Sequence, residues 1–134
     1  MRTRSVIVIK PDCAEKEGTL SDLISLIRDN SLCIVYLTKA RRLEPFWRQF
    51  YLPHSKNPKF PDFEGFVRWM ASVPLVFMVV EGNGNGVVSL VRRQILMPLR
   101  EKYQTNERKN GFHASDSVES AEREMGLIYL PLRE

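Results

Sequence analysis

The chain has very few of the residues that build disulfide scaffolds and metal centres. Its 134 residues include two cysteines, Cys13 and Cys33, and two histidines, His54 and His113. Cysteines this few and this far apart predict reduced thiols and argue against a disulfide-stapled fold or a structural metal site. His54 lies in a proline-rich loop without evident partners, so we expect it to be exposed and to have no role.

Long hydrophobic runs are also missing. No apolar segment reaches the length needed to span a bilayer, and the one after Arg2 and Arg4 is too short for a signal peptide. We therefore expect a cytoplasmic protein. At this length, with 43% hydrophobic and 27% charged residues, the chain is expected to form one globular domain, residues 1–134.

Positive charge is in excess. The net charge is +4 and the pI is about 9.3, which indicates an anionic partner. Nucleic acid, a membrane surface and phosphorylated small molecules all satisfy this condition, and charge alone does not choose among them.

Three nucleotide-binding signatures are absent or incomplete. The glycine-rich stretch 81–86 lacks the Lys-Ser/Thr pair of a phosphate-binding P-loop and the spacing of a dinucleotide fingerprint, so it predicts a strand-to-helix turn. Residues 65–69, Gly-Phe-Val-Arg-Trp, match only part of the RNA-recognition signature and lie in a predicted helix. A nucleic-acid-binding module nevertheless stays an alternative, because its element order is the one predicted below and the chain is basic.

Hydrophobic periodicity predicts strands at 4–10, 32–37 and 74–80, and the first of these holds a nearly continuous β-branched run, as in a strand buried on both faces. Helices are predicted from Gly18 to Asn30, at 43–51, 63–70 and 87–97, with Pro98 ending the last and an irregular, charged segment at 99–109. A short extended piece before His113, a further helix and an apolar segment at 127–130 complete the chain. This order predicts an α+β fold, a ferredoxin-like βαββαβ sandwich whose four-stranded antiparallel sheet is covered by helices on one face.

The most distinctive polar cluster spans residues 110–124. His113 precedes a helix start at which Asp116 or Ser117 can cap the first turn, and an anion is favoured beside such an N-terminus. Glu124 lies further along the same helix and could point back to the imidazole. A histidine supported by a carboxylate is a candidate nucleophile or base.

The buried stripe of this last helix follows from helical spacing. Val118, Ala121 and Met125 recur on one face and are expected to pack inward.

Other polar residues predict phosphoryl chemistry. Lys10 ends the first strand before Pro11, where side chains commonly enter a site. Arginine pairs clamp phosphate oxygens, and a neutral imidazole can attack phosphorus. No carboxylate cluster suits a protein-bound metal, so Mg²⁺ would arrive with a nucleotide. The polar candidates are Lys10, Tyr51, Arg92, Arg100, Asn110, His113, Ser115 and Glu124.

Two motifs among these residues resemble the nucleoside diphosphate kinase family. They are Ile9-Lys10-Pro11-Asp12 and Asn110-Gly111-Phe112-His113-Ala114-Ser115-Asp116-Ser117. The second is highly specific to that family, and the resemblance covers almost the whole chain. It implies transfer of the γ-phosphate of a nucleoside triphosphate, typically ATP, to a nucleoside diphosphate by a ping-pong route through a phosphohistidine.

The resemblance also implies roles for single residues. His113 would be the nucleophile, Glu124 would orient it and Ser115 would hydrogen-bond beside it. The residues expected around the phosphates and sugar are Lys10, Tyr51, Arg92, Arg100 and Asn110. The base would lie between an aromatic side chain, Phe60 or Phe63, and Phe66.

Departures from the family pattern bear on assembly and activity. The segment Gln94–Leu99 is shorter than the family's loop, and Pro98 falls near the place of a phosphate-binding threonine. Because that loop helps subunits to pack, a homo-oligomer is expected but can be a hexamer, a tetramer or a dimer. Partners are expected to be nucleoside di- and triphosphates, with no membrane and with nucleic acid unfavoured. A catalytically inactive relative that serves as a scaffold is a further alternative.

Overall fold

The computed structural model describes residues 1–58, 62–103 and 109–129. Its strands are β1 (Arg2–Ile9), β2 (Cys33–Ala40), β3 (Leu75–Asn83) and β4 (Phe112–Ala114). The helices are α1 (Pro11–Ala14), α2 (Thr19–Asp29), α3 (Glu44–Phe50), α4 (Phe63–Met70), α5 (Val87–Val91), α6 (Met97–Tyr103) and α7 (Val118–Tyr129). A 3-10 turn (Leu52–His54) follows α3, and a π-helical turn (Arg92–Leu96) joins α5 to α6.

The four strands form one antiparallel sheet in the order β2-β3-β1-β4. This is the predicted ferredoxin-like βαββαβ topology, and the prediction is confirmed. β2 and β3 each run three residues past their predicted ends. Their last residues still pair with a neighbouring strand, Ala40 of β2 with Leu75 of β3 and Asn83 of β3 with Arg2 of β1. The glycine-rich stretch is the predicted turn between β3 and α5, with Gly84 in the left-handed region at a φ of 87°.

Helices cover both faces of the sheet, so the expectation of one covered face is wrong. Ile7 and Ile9 of β1 point into a first core closed by α2, α5 and α6, whereas Val6 and Val8 point into a second core closed by α3, α4 and α7. Because neighbouring strand residues face opposite sides, the unbroken apolar run of β1 at residues 6–9 requires a cover on each side.

The helix that begins at Val87 does not end at Pro98. It passes through the π-helical turn and continues to Tyr103, so that Arg100 lies on a helix and not in an irregular segment. A proline inside an α-helix lacks an N–H and its ring collides with the carbonyl group one turn earlier. The wide turn immediately before Pro98 is the kind of distortion that accommodates such a break.

The last helix begins as predicted but buries a different stripe. Ser117 caps α7, its Oγ accepting a hydrogen bond of 3.0 Å from the Ser120 N–H. The buried residues are Ala121, Glu124 and Ile128, while Val118 is 39% exposed. The predicted stripe was wrong at Val118 because the buried side of α7 follows Glu124, a polar residue that an apolar pattern does not include. Leu130, the end of the predicted apolar segment, lies outside the described residues.

Gly111 is the glycine that most constrains the fold. Its φ is +83°, and a Cβ placed there would lie 2.8 Å from Cys13 Sγ. Its carbonyl oxygen accepts a 2.8 Å hydrogen bond from the Lys10 N–H, which extends the pairing of β1 with β4.

Replacement of Gly111 by alanine should destabilise the protein by roughly 1–3 kcal/mol, because the new Cβ meets both a disfavoured φ and the Cys13 side chain. Gly126→Ala is the matched control. Its Cβ meets nothing within 4 Å, and it lies inside α7, so it should stabilise by roughly 0.5–1 kcal/mol. Urea unfolding of both variants measures the difference. An unchanged free energy of unfolding for Gly111→Ala would show that neither the φ of Gly111 nor the Cys13 contact constrains this position.

Candidate active site

The pairing of β4 with β1 sets the direction in which His113 points. His113 lies opposite Val8 in the register, while its neighbours Phe112 and Ala114 lie opposite Ile9 and Ile7. Phe112 and Ala114 therefore enter the first core, and His113 faces the second. Lys10 follows Val8 by two positions, so the same alternation brings it to the side of the imidazole.

The imidazole is held by a buried carboxylate. His113 Nε2 lies 3.2 Å from Glu124 Oε1, and the Ser115 hydroxyl donates a 2.7 Å hydrogen bond to the same oxygen. Ser115 Oγ in turn accepts a 3.0 Å hydrogen bond from the Val6 N–H, which fixes the serine to the sheet. A carboxylate accepts only, so the proton on a neutral imidazole resides at Nε2 and the lone pair at Nδ1 is left for other chemistry.

Aromatic rings form a wall against the imidazole. The ring centroids of Phe50 and Tyr51 lie 5.0 Å and 5.3 Å from that of His113, both edge-on. Phe66 packs against Tyr51 at 4.9 Å. Burial raises the pKa of Tyr51 well above its usual value, and the negative charge of Glu124 adds to this effect. The phenol therefore stays protonated. The sequence did not indicate Phe50, whose only signal is that it adjoins Tyr51.

Two arginines reach the site from the opposite side of the sheet. β4 is an edge strand, and its outward carbonyl groups accept hydrogen bonds from Arg92 and Arg100. Arg92 Nη1 lies 3.0 Å from the Ala114 oxygen, and Arg100 Nη2 lies 3.1 Å from the Phe112 oxygen. Burial, and then the charge of Arg92, lower the pKa of Arg100.

The π-helical turn brings these arginines to one side of the helix. Residues eight apart on a regular α-helix are rotated by about 80° from each other. One extra residue in a wide turn reduces this rotation to about 20°. Arg92 and Arg100 can therefore contact carbonyl groups that are two residues apart on the same strand edge.

Lys10 is a buried cation. It is 5% exposed, and its Nζ donates a 2.9 Å hydrogen bond to Asn110 Oδ1 and lies 5.5 Å from the Phe66 ring centroid. Burial lowers the pKa of Lys10 to about 7, and the charge of Arg100 contributes in the same direction. The carboxylate of Asp12 acts in the opposite direction and offsets part of this shift.

The residues predicted to hold the nucleobase differ in how accessible they are. Phe60 lies outside the described residues. Phe63 is half-buried at the first position of α4, whereas Phe66 is only 1% exposed, so its ring has no open face in this arrangement.

Two further expectations concern Cys13 and His54. Cys13 is fully buried, and burial raises the pKa of its thiol to about 11, which makes it unreactive. His54 is half-buried, not exposed, and its ring centroid lies 6.2 Å from that of Tyr51. The 3-10 turn after α3 folds His54 back toward the aromatic wall. The sequence predicts only a loop there, so it does not predict this contact.

The donor set favours anions over a protein-bound metal ion. In residues 1–58, 62–103 and 109–129 there is no group of three or more His, Cys, Asp or Glu side chains able to hold a metal. A ferredoxin-like sandwich with an imidazole, a lysine and two arginines at one strand edge is a protein suited to anionic, phosphorylated ligands.

Comparison with known proteins agrees with this class. A family model described as nucleoside diphosphate kinase matches residues 3–132. The nucleoside diphosphate kinase of Saccharolobus islandicus is 35% identical over 94% of each chain, and that of Rhodopirellula baltica is 30% identical over 94% of this chain and 85% of its own. The crystal structure of the Aquifex aeolicus nucleoside diphosphate kinase superposes with a TM-score of 0.81 at 29% identity, covering 97% of this chain and 96% of that one. The chain belongs to the nucleoside diphosphate kinase family.

A search of the described helices for a membrane span found none that is both long and apolar enough.

The charge state of Lys10 predicts a pH dependence of stability. Its pKa is about 7 in the fold against an ordinary value of 10.5, so the unfolded chain binds more protons between these values. The free energy of unfolding should therefore rise with pH across this window by about 4 kcal/mol relative to Lys10→Met, which has no proton to lose. Urea unfolding of both proteins at pH 7 and pH 10 measures this. If the difference in unfolding free energy between the two proteins is the same at both pH values, the pKa of Lys10 is not lowered by the fold.

Proposed function

We propose that this nucleoside diphosphate kinase transfers the γ-phosphate through a phosphoenzyme at His113, with Nδ1 as the nucleophilic atom. A nucleoside triphosphate donates the phosphoryl group to the imidazole, and a nucleoside diphosphate then removes it. The observation that carries this proposal is the contact of 3.2 Å between Nε2 and Glu124, because it engages one ring nitrogen and leaves the lone pair of the other for attack.

Glu124 and Ser115 orient the nucleophile. As Nδ1 bonds to phosphorus, the imidazole becomes cationic, and the carboxylate next to Nε2 stabilises that charge. The Ser115 hydroxyl holds Glu124 Oε1 from the other side at 2.7 Å. When the group leaves for the acceptor, the ring returns to its neutral form and the same contact persists.

The cations hold the phosphates. Arg92 and Arg100 each use part of their guanidinium group on a carbonyl of β4, which fixes their position and leaves other N–H groups for phosphate oxygens. Lys10 adds a third positive charge beside Asn110, which can also bond the sugar. Tyr51 supports the imidazole through ring contact. The base lies toward Phe63 at the start of α4, where Phe66 packs beneath the site. Phe60, the other predicted stacking residue, lies outside the described residues.

Mg²⁺ enters as part of the substrate, bound to the phosphate oxygens of the nucleotide. It neutralises charge on those oxygens and keeps them in position for in-line transfer. Support for this arrangement comes from the cationic donor set, which suits phosphate and not a metal ion. The cytoplasmic location stays a prediction.

We also propose that residues 1–134 form one domain that assembles with copies of itself. Both cores share a single sheet, which supports one folding unit. In the described residues β2 pairs with β3 alone, so its outer edge is open, and it exposes Val35 by 40% and Leu37 by 46%. An open, apolar edge strand favours association with another copy. The structure of the assembly can be a dimer or a multiple of it.

Phosphoenzyme formation tests the catalytic proposal. Incubation with γ-labelled ATP and Mg²⁺ without acceptor should give an acid-labile, base-stable label that a nucleoside diphosphate discharges. His113→Ala should lose the label and lower the transfer rate by more than about 1,000-fold. His54→Ala, at the other histidine of the chain, is the matched control and should keep the label. An unlabelled native protein would favour an inactive relative or a nucleic-acid-binding module.

Light scattering after size exclusion tests the assembly. The native protein should be oligomeric, and Val35→Lys with Leu37→Lys should shift it toward the monomer, since charge on an edge strand opposes pairing. Val118→Lys, a charge placed at an exposed apolar residue of α7, should leave the mass unchanged. A native protein that is monomeric at micromolar concentration would contradict the proposal.

A further inference from the structure

Arg123 of α7 joins the two elements that enclose the imidazole. Its Nη1 and Nη2 each donate a 3.0 Å hydrogen bond, to the carbonyl oxygens of Gln49 and Phe50 respectively. These carbonyls belong to the last turn of α3, where a helix leaves acceptors without internal partners and where a positive charge is favoured. The planar guanidinium spans both acceptors at once, which a lysine cannot do.

The end of α3 that Arg123 holds is the aromatic wall of the site. Phe50, whose carbonyl takes one of the two hydrogen bonds, lies 5.0 Å from His113 between ring centroids. Tyr51, the next residue, lies 5.3 Å from it. A shift of the last turn of α3 would therefore move both rings that fix the plane of the imidazole.

Arg123 also lies beside the carboxylate that orients His113. Its Nη2 is 3.9 Å from Glu124 Oε2, while Glu124 Oε1 takes the contacts with His113 and Ser115. Each carboxylate oxygen thus faces a different part of the site. The side chain of Arg123 is 36% exposed and that of Glu124 is 4% exposed, so the arginine links a buried carboxylate to the surface.

We propose that Arg123 is a positioning residue for phosphoryl transfer: it fixes the Phe50–Tyr51 wall and the Glu124 carboxylate relative to each other, and thereby holds His113 with its proton at Nε2. It acts through these residues and needs no contact with the nucleotide. The inference rests on the proposed role of His113, but its effect on the imidazole can be measured without turnover.

Single-turnover phosphorylation by MgATP tests the effect on the reaction. Arg123→Gln should slow phosphorylation of His113 by about 10- to 100-fold, a range taken from the loss of partners that orient metal-binding histidines and carboxylates. The nucleotide concentration at half-maximal rate should change less than about 2-fold, because the phosphate-binding cations are untouched. Arg123→Lys keeps the positive charge but lacks the planar pair of N–H donors, so it should recover only part of the rate.

Arg48→Gln is the matched control. Arg48 lies on α3 and pairs with Glu44 and Glu64 on the surface, away from the imidazole. It should phosphorylate His113 at the native rate. All variants are assayed at a temperature at which unfolding curves show them fully folded, so that a loss of stability cannot imitate a loss of rate.

Nitrogen NMR of the imidazole separates positioning from a structural role. In a His54→Ala background His113 is the single histidine, and its spectrum should report the Nε2–H tautomer. Arg123→Gln in that background should give a mixture of tautomers, whereas Arg48→Gln should not. A native rate or an unchanged tautomer in folded Arg123→Gln would overturn the proposal for Arg123 alone. If the native protein itself takes no label, the role of His113 fails, and the tautomer measurement still decides the role of Arg123.

Discussion

The pairing of β4 with β1 is the interaction on which the rest of the site depends. Only three residues of β4 pair, yet they fix which face of the sheet receives the imidazole. A slip of one residue would place His113 in the first core and Phe112 or Ala114 in the polar site. Gly111 and Ser115, at the two ends of the strand, hold the register through their bonds to Lys10 and Val6. The backbone of β1 thus positions the lysine, the histidine and the serine together.

An edge strand also explains how groups from both faces of the sheet meet. Within the part of the chain that the structure describes, no strand lies beyond β4, and a cationic donor satisfies the outward carbonyl groups of Phe112 and Ala114. The guanidinium groups that cover this edge also block it against pairing with another chain. Arg92 and Arg100 are therefore part of the fold itself, and in the proposed mechanism the same hydrogen bonds hold them in position for phosphate oxygens.

The sequence predicts the parts of this arrangement that follow from local periodicity. The strand that ends at Lys10, the cap at Ser117 and the direction of Glu124 toward His113 all follow from the geometry of single elements. The apolar run of β1 already indicates burial on both faces, which is incompatible with a sheet covered on one face only. The π-helical turn was not predictable, because Pro98 signals a helix end locally and only packing of the following turn against the core overrides it. Phe50 and Arg123 depend on how α3 meets α7, which no local pattern encodes.

The cations buried at the site lower the stability of the fold. Burial and then the charge of Arg100 lower the pKa of Lys10, while burial and then the charge of Arg92 lower the pKa of Arg100. The buried carboxylate of Glu124 is engaged with His113 and Ser115. Burying like charges in a protein interior is unfavourable unless an opposite charge joins them. In the proposed mechanism a polyphosphate supplies that charge, so its binding offsets the unfavourable burial of the cations and draws its anionic groups toward His113. In the proposed mechanism, the buried like charges that lower the stability of the fold are therefore the groups that hold the phosphoryl group next to Nδ1.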